Sequence, residues 1–432
     1  MDTKLDLTSP VVADIVRDFY DKHPYPQPID NLDQYRRLWQ DPQRRRADYR
    51  LFWPTRSYRD DYTILIAGCG TSQAAKHALR QPACHVVGID ISETSVRHTE
   101  TLKRKYRLIN LEVYQLPVER AGELGRSFDE IVCTGVLHHL SDPDAGLRAL
   151  RDVLEPGGAL HLMVYAAYGR TGVYMLQEYC RRLGIGHSAQ EIRNLAHTLT
   201  ALPHGHPLAR LFGESPDFQD GDALADALLN PRDRAYTVPQ LLDLLERCGL
   251  NFGRWVRQAP YLPQCGDLVK TPHTLRLLQL RRAEQYAAVE LFRGTMVRHS
   301  LIAYRDDRPA RSRQIGFDEA GLMEPSPHWP GYVPIRLPEA ISVQERLPPG
   351  AAAVLINQSH TYTDLYLPID KGEKKLLDEI DGKRTIAEIV RGAWESEQQW
   401  ERARDFFERL WWYDQVVFDA SNHSGRNGDD VL

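Results

Sequence analysis

Four apolar residues, Ile64 to Ala67, run without interruption into Gly68-Cys69-Gly70. This reads as a buried strand that ends in a glycine turn. Glycines take positive φ and let the backbone approach a ligand closely, and a helix opening near Ser72 points its free amides at that ligand. The second chemical group is Asp90, which ends the run Val86-Val87-Gly88-Ile89. An acid at that spacing accepts hydrogen bonds from a ribose diol.

Together the turn and Asp90 fit a nucleotide or nucleoside, leaving NAD, FAD, ATP and S-adenosylmethionine open. A dinucleotide needs a third glycine for its pyrophosphate, and Thr71-Ser72-Gln73 stands there instead. No Lys with Ser or Thr follows to hold the phosphates of a mononucleotide. An adenosyl ligand without phosphates remains. Methyl transfer from a sulfonium needs an acceptor held in line at near-attack distance, with a base only where the acceptor must lose a proton. His138 and His139 are the candidates for that base. Tyr168 and Tyr236 are candidates to orient the substrate. Each has a plainer reading, the histidines as backbone-bonding residues of a loop and the tyrosines as packing.

These groups need a scaffold, and residues 62 to 165 alternate strand and helix as a parallel sheet requires. Strands are expected at Ile64–Ala67, Val86–Ile89, Leu111–Tyr114, Phe128–Cys133 and Ala159–Tyr165, with Ser92 as an N-cap. Residues 168 to 235 read as a helical insertion where a substrate pocket would be built. A later strand, Val297–Tyr304, completes the sheet. Before this core, residues 1 to 60 are expected to form a helical arm or lid. The stretch 307–351, with Pro325, Pro327, Pro330, Pro334 and Pro338, reads as an extended linker. Residues 352–419 carry three helices and short strands, and 420–432 read as a disordered tail.

Composition sets the class. The chain has 432 residues, 42% apolar and 26% charged, with a net charge of −5. This is the profile of a soluble globular protein with more than one unit. No apolar run reaches the ~18 residues of a membrane span, and Met1 to Ser9 carries charges unlike a signal peptide, so a cytoplasmic protein is expected. Six cysteines are scattered without metal-ligand spacing and read as reduced packing thiols. No metal is expected. Between Asp33 and Asp60, eight arginines mix with aromatics. Such a mixture can bind nucleic acid, but a solvated helix face is the expected reading.

Five ordered motifs carry a resemblance. Ala67 to Gly70, Gly88 to Ser92, Gln115-Leu116-Pro117, Thr134 to Leu140 and Leu154 to Gly158 resemble the class I S-adenosylmethionine-dependent methyltransferases of bacterial type. The likeness implies an α/β, Rossmann-like core that acts on a small molecule or peptide. It implies that Gly68, Cys69 and Gly70 pass under the methionine moiety, with Gln73 just beyond. Asp90 would hold the ribose and Ile91 would pack on adenine. Gln115, Leu116 and Pro117 would line the adenine edge, and Gly135, Val136 and His139 would face the sulfonium. His23-Pro24-Tyr25-Pro26 is similar to arms that close over the cofactor, making Tyr20 and Tyr25 lid candidates. The chain departs from the family at Ile66, where an acid is common, and at Ser72, where a glycine is.

The last unit resembles winged-helix-like modules, including those similar to the peptide-binding domain of pyrroloquinoline-quinone biosynthesis. That likeness rests on Leu367 to Asp370, Glu373 to Ile380 and Gly382 to Ile386. It implies recognition of a peptide or protein partner, or a homodimer contact. Two other readings of the chain stay open. One is a binding protein of the same fold without turnover, the other an RNA-modifying methyltransferase.

Overall fold

The computed structural model describes residues 10–209, 220–305, 315–317, 329–393 and 399–421. It divides into two units, one of residues 1–38, 60–252 and 290–307, the other of residues 39–59, 253–289 and 308–432.

The first unit is built on a seven-stranded sheet. Its strands are β1 Thr63–Ala67, β2 His85–Asp90, β3 Leu111–Gln115, β4 Phe128–Thr134, β5 Leu154–Tyr165, β6 Leu250–Trp255 and β7 Arg298–Arg305. Their order is β3-β2-β1-β4-β5-β7-β6. The strands from β3 to β5 run parallel, and β7 returns antiparallel along β5. Parallel strands covered on both faces need continuous apolar runs rather than alternation. Ile64, Leu65 and Ile66 of β1 are fully buried for that reason. Each stabilises the sheet by about 1.5 to 3 kcal/mol. The order reverses between β1 and β4, and the crevice outside the strand ends at such a reversal is where α/β sheets bind ligands.

The crossover helices are Gln73–Arg80, Glu93–Tyr106 and Pro143–Asp152. Ser92 caps the second by accepting from Ser95 N at 3.2 Å, and Asp142 caps the third by accepting from Ala145 N at 2.9 Å. Losing such a cap costs about 1 kcal/mol. β5 starts at Leu154, earlier than expected, because the Pro156-Gly157-Gly158 stretch continues the strand through a register shift against β4.

The insertion holds helices Thr171–Leu183, Ala189–Leu199 and Gly221–Leu229, whose inner stripes share one apolar cluster with Phe19 of the arm helix Pro10–Lys22. The arm is fastened on two sides. Asp21 accepts from Ser92 Oγ at 2.7 Å and Thr94 N at 3.2 Å, a carboxylate at a helix N-terminus where the dipole favours it. Opposite, Tyr20 donates to Asp226 at 2.8 Å, His23 Nδ1 bonds Asp222 at 2.8 Å and Gln27 donates to Asp222 at 2.8 Å.

The second unit has helix Pro42–Phe52, strands β8 Val333–Arg336, β9 Ala340–Val343, β10 Ala353–Asn357, β11 Tyr366–Ile369 and β12 Val416–Asp419, and helices Lys371–Asp378, Ile386–Ala393 and Trp400–Trp412. β8 pairs with β12, and β10 lies between β9 and β11. Arg50, almost fully buried, pairs with Asp419 at 2.6 Å, and Arg46 reaches the same carboxylate at 2.8 Å. Arg44 pairs with Glu339 at 3.6 Å, and Arg45 donates to the Trp39 carbonyl at 2.5 Å. Four arginines of the basic stretch are thus engaged within their own unit.

Two expected boundaries are corrected. The arm of residues 1–60 is not one element, since 1–38 belong to the first unit and 39–59 to the second. The linker of 307–351 contains β8 and β9, which pair with β12 and β10 and so form part of the second unit's sheets. The tail beyond Ser421 and residues 307–314 and 318–328 of the linker lie outside the described residues. Among the described residues no helix is long and apolar enough to cross a membrane, no group of three metal-ligating side chains forms, and all six cysteines are free and buried.

Candidate active site

A cavity of about 760 Å³ opens at the carboxyl ends of β1, β2, β4 and β5. It lies within the range of roughly 300 to 1,000 Å³ typical of small-molecule sites. Gly68 and Gly70 take φ of +73° and +51°, which only glycine adopts cheaply. The turn folds back on β2, with Gly68 N and Cys69 N both donating to the Ile89 carbonyl, at 2.8 and 2.9 Å. Gly70 N donates to Asp90 Oδ2 at 2.8 Å, and Ser92 N to Asp90 Oδ1 at 2.9 Å. The three turn amides that could cradle a phosphate are therefore committed to protein acceptors. The donor set fits a phosphate-free adenosyl ligand whose ribose meets a carboxylate. Burial pushes the Asp90 carboxyl above its usual range, opposed by the Ser92 and Gly70 amides, while nearby Asp21 raises it further.

Of the expected cofactor residues, Gly68, Cys69, Gly70, Gln73, Asp90, Ile91, Pro117, Gly135, Val136, Tyr20 and Tyr25 line this one cavity. Gln73 Nε2 donates to Thr134 Oγ1 at 2.8 Å, tying the first crossover helix to the end of β4. Gln115 and Leu116 stand outside the lining. Gln115 is exposed and donates to the Ile91 carbonyl at 3.2 Å, and Leu116 N donates to the Asp90 carbonyl at 2.9 Å. Their place at the cavity edge is taken by Pro117, Val118 and Glu119, because the chain turns into a 3-10 segment, Val118–Leu124, directly after the strand.

Of the four expected catalytic residues only His139 lines the cavity. Its Nδ1 lies 2.6 Å from the Arg232 carbonyl. A carbonyl only accepts, so Nδ1 carries a proton, and Nε2 is the nitrogen that bears the lone pair in the neutral ring. His138 is fully buried, neither ring nitrogen has a hydrogen-bond partner among the described residues, and burial, with His139 and Arg170 nearby, holds its pKa well below the ordinary histidine value. It packs on the Tyr165 ring at 3.9 Å. Tyr168 is 40% exposed and stands outside the cavity lining. Tyr236 is buried and bonds through its backbone, accepting from Ala167 N at 3.0 Å and donating to the Tyr165 carbonyl at 2.9 Å. These three stand outside the lining.

The cavity also holds residues not anticipated from the sequence. Tyr165 ends β5, and Arg170 lies over its ring with the guanidinium carbon 3.6 Å from the centroid. Burial works against the Arg170 charge, but Asp233, Tyr165 and Tyr174 outweigh it and hold the pKa above its ordinary value. Asp226 accepts from Tyr20 and, at 3.0 Å, from Asn230. Tyr165 could have been found from its place at a strand's carboxyl end. Arg170 and Asp233 are joined only by the fold and left no spacing signal.

A family described as "Methyltransferase domain" matches residues 65–160. An uncharacterized protein of Synechococcus sp. is 32% identical over 238 residues, covering 53% of this chain and 56% of that relative. The chain thus spans little more than half the length of that curated relative. The ubiquinone biosynthesis O-methyltransferase of Acinetobacter baumannii is 25% identical over 171 residues, covering 36% of this chain and 72% of the relative. Among solved structures, PKMT2 from Rickettsia typhi superposes with a TM-score of 0.59 at 16% identity, covering 88% of this chain and 75% of that one. At that identity the likeness is one of fold. A structure of the same protein in complex with AdoHcy gives 0.57 at 17% identity, covering 86% and 72%. The match over residues 65–160 and the β3-β2-β1-β4-β5-β7-β6 sheet together give this chain the fold of a methyltransferase domain.

Proposed function

We propose that this chain is an S-adenosylmethionine-dependent methyltransferase that acts on a small molecule or peptide. The observation that carries the reading is Asp90, half-buried at the end of β2 and fixed by the amides of Gly70 and Ser92 at the edge of a cavity whose Gly68–Gly70 turn has its three amides engaged by protein acceptors. The methyltransferase names of the relatives and the AdoHcy held by the Rickettsia typhi protein support it.

The cosubstrate supplies an electrophilic methyl group. The chain's own residues do the rest. Asp90 binds the ribose hydroxyls, and Gly68 to Gly70 let the ligand lie against the backbone. Pro117 and Val118 cover an apolar base. Val136 and Met163 present apolar surface where the reacting centre must be dry. His139 Nε2, its tautomer set by the Arg232 carbonyl, accepts the acceptor's proton where one must leave. Tyr20 and Tyr25, on the fastened arm, help to exclude water.

Calorimetric titration with S-adenosylhomocysteine tests the reading. Binding that weakens in Asp90→Ala supports it, and absence of binding by the wild-type chain overturns it. Labelled methyl transfer into pooled metabolites and peptides then separates turnover from binding alone.

A further inference from the structure

We infer that the acceptor carries a carboxylate, anchored by Arg170 with Arg298 beside Tyr165. This rests on the methyltransferase reading above, whose acceptor it narrows.

The argument starts from how Arg170 is held. Its Nη2 donates to Asp233 Oδ2 at 2.8 Å and its Nε to Tyr174 Oη at 3.3 Å. The guanidinium carbon lies over the Tyr165 ring, and the residue is 8% exposed while lining the cavity. Asp233 is itself held by Gln177 at 3.0 Å. Two edges of the guanidinium are thus fixed, and Nη1 has no hydrogen-bond partner among the described residues. A buried arginine that needed only to balance Asp233 would do so with both nitrogens of one edge, in the bidentate fork that carboxylates favour. Here one nitrogen is left to donate into the cavity, and the side-chain entropy of placing it has already been lost in folding.

Arg298 adds to this from the neighbouring strand. It is the direct cross-strand partner of Tyr165 in the β5–β7 ladder, lines the same cavity, and has no ion-pair partner among the described residues. Directly opposed residues of an antiparallel pair project to the same face. Tyr165 is therefore flanked by two arginines. The cavity's carboxylates are otherwise occupied: Asp90 by two amides, and Asp226 by Tyr20 and Asn230. Glu119 stands by Arg232, whose charge it favours. His139 lies 5.9 Å from Tyr165, ring to ring, so an anchored carboxylate would sit on the same side of the cavity as the base. The aromatic walls of Tyr20, Tyr165 and His139 favour a planar acceptor.

Benzoate and benzamide are the probes, titrated by calorimetry into the full chain loaded with S-adenosylhomocysteine. The expected result is that benzoate binds at least tenfold more tightly than benzamide, and that Arg170→Gln removes that preference while leaving benzamide unchanged. Equal binding of the two probes, or an unchanged benzoate preference in folded Arg170→Gln, overturns the inference. Should Arg170→Gln fail to fold, Arg298→Gln decides instead, because that exposed residue has no partner to lose. A loss of threefold or more in benzoate affinity supports the inference and no loss overturns it. If S-adenosylhomocysteine itself does not bind, the methyltransferase reading fails, and the same two titrations on the unloaded chain still decide whether this is a carboxylate site.

Discussion

Gly68 and Val136 stand so close that a Cβ added to Gly68 would lie 2.1 Å from Val136 Cγ2. The glycine is required twice, by its φ of +73° and by the side chain that faces it across the β1–β4 reversal. Gly68→Ala should therefore displace Val136 into the cavity or unwind the turn. The strained backbone and the clash together predict a loss of about 2 to 4 kcal/mol in stability. Urea unfolding of the variant measures it, and a change below about 0.5 kcal/mol would contradict this account of the turn.

Asp90→Ala removes the carboxylate proposed to meet the ribose. Hydrogen bonds to a charged group contribute about 1.5 to 3 kcal/mol each, so affinity for S-adenosylhomocysteine should fall roughly 10- to 100-fold. The Gly70 and Ser92 amides also lose their acceptor, so thermal stability should drop as well. Unaltered affinity would remove Asp90 from the cosubstrate site.

His139→Gln keeps a polar side chain but cannot take a proton. If the acceptor is deprotonated during transfer, the turnover number should fall by about 100-fold or more while S-adenosylhomocysteine affinity is retained. Undiminished turnover would show that the acceptor reacts without a base and leave His139 as part of the wall.

Glu130 gives a prediction in pH. It is buried in β4 beside β1, and burial pushes its pKa up to about 7, against the favourable influence of Arg80 and Tyr62. In the unfolded chain a glutamate titrates near 4.3. A carboxyl raised in the folded state contributes stability that is fully present below the unfolded value and is lost as pH rises through the folded one. Between about pH 4.5 and 7.5 the loss from this residue should be on the order of 3 kcal/mol. Glu130→Gln should flatten that stretch of the stability profile. Denaturant melts of both proteins at pH 5 and pH 8 check it, and parallel profiles would refute the assignment.

The sheet was readable because parallel strands need uninterrupted apolar runs, and Ile64–Ala67 and Val86–Ile89 are such runs. The turn and Asp90 were readable because they are joined by local spacing within one strand-helix-strand unit. The proposed acceptor side was not. Arg170, Asp226 and Asp233 come together only when the insertion helices pack, and no periodicity records contacts 56 or 63 residues apart in sequence. Gln115 misled for a related reason, since a residue's place in a motif says nothing of which face of the strand end its side chain takes. The prolines near 334 and 338 suggested a linker, yet Pro334 sits in β8 opposite Phe418, a pairing with a strand some eighty residues away. Edge positions tolerate proline, and sequence alone does not show where an edge will be.

The turn's amides have one more consequence, outside the chemistry of transfer. Because Gly68, Cys69 and Gly70 spend their donors on Ile89 and Asp90, a triphosphate would meet a carboxylate there and none of these three amides. Adenine nucleotides share the same base and sugar with the methyl donor, yet the turn gives their anionic tails nothing to hold. Any preference of this site for a tail without phosphates therefore begins in the backbone of the turn itself, before a side chain is considered.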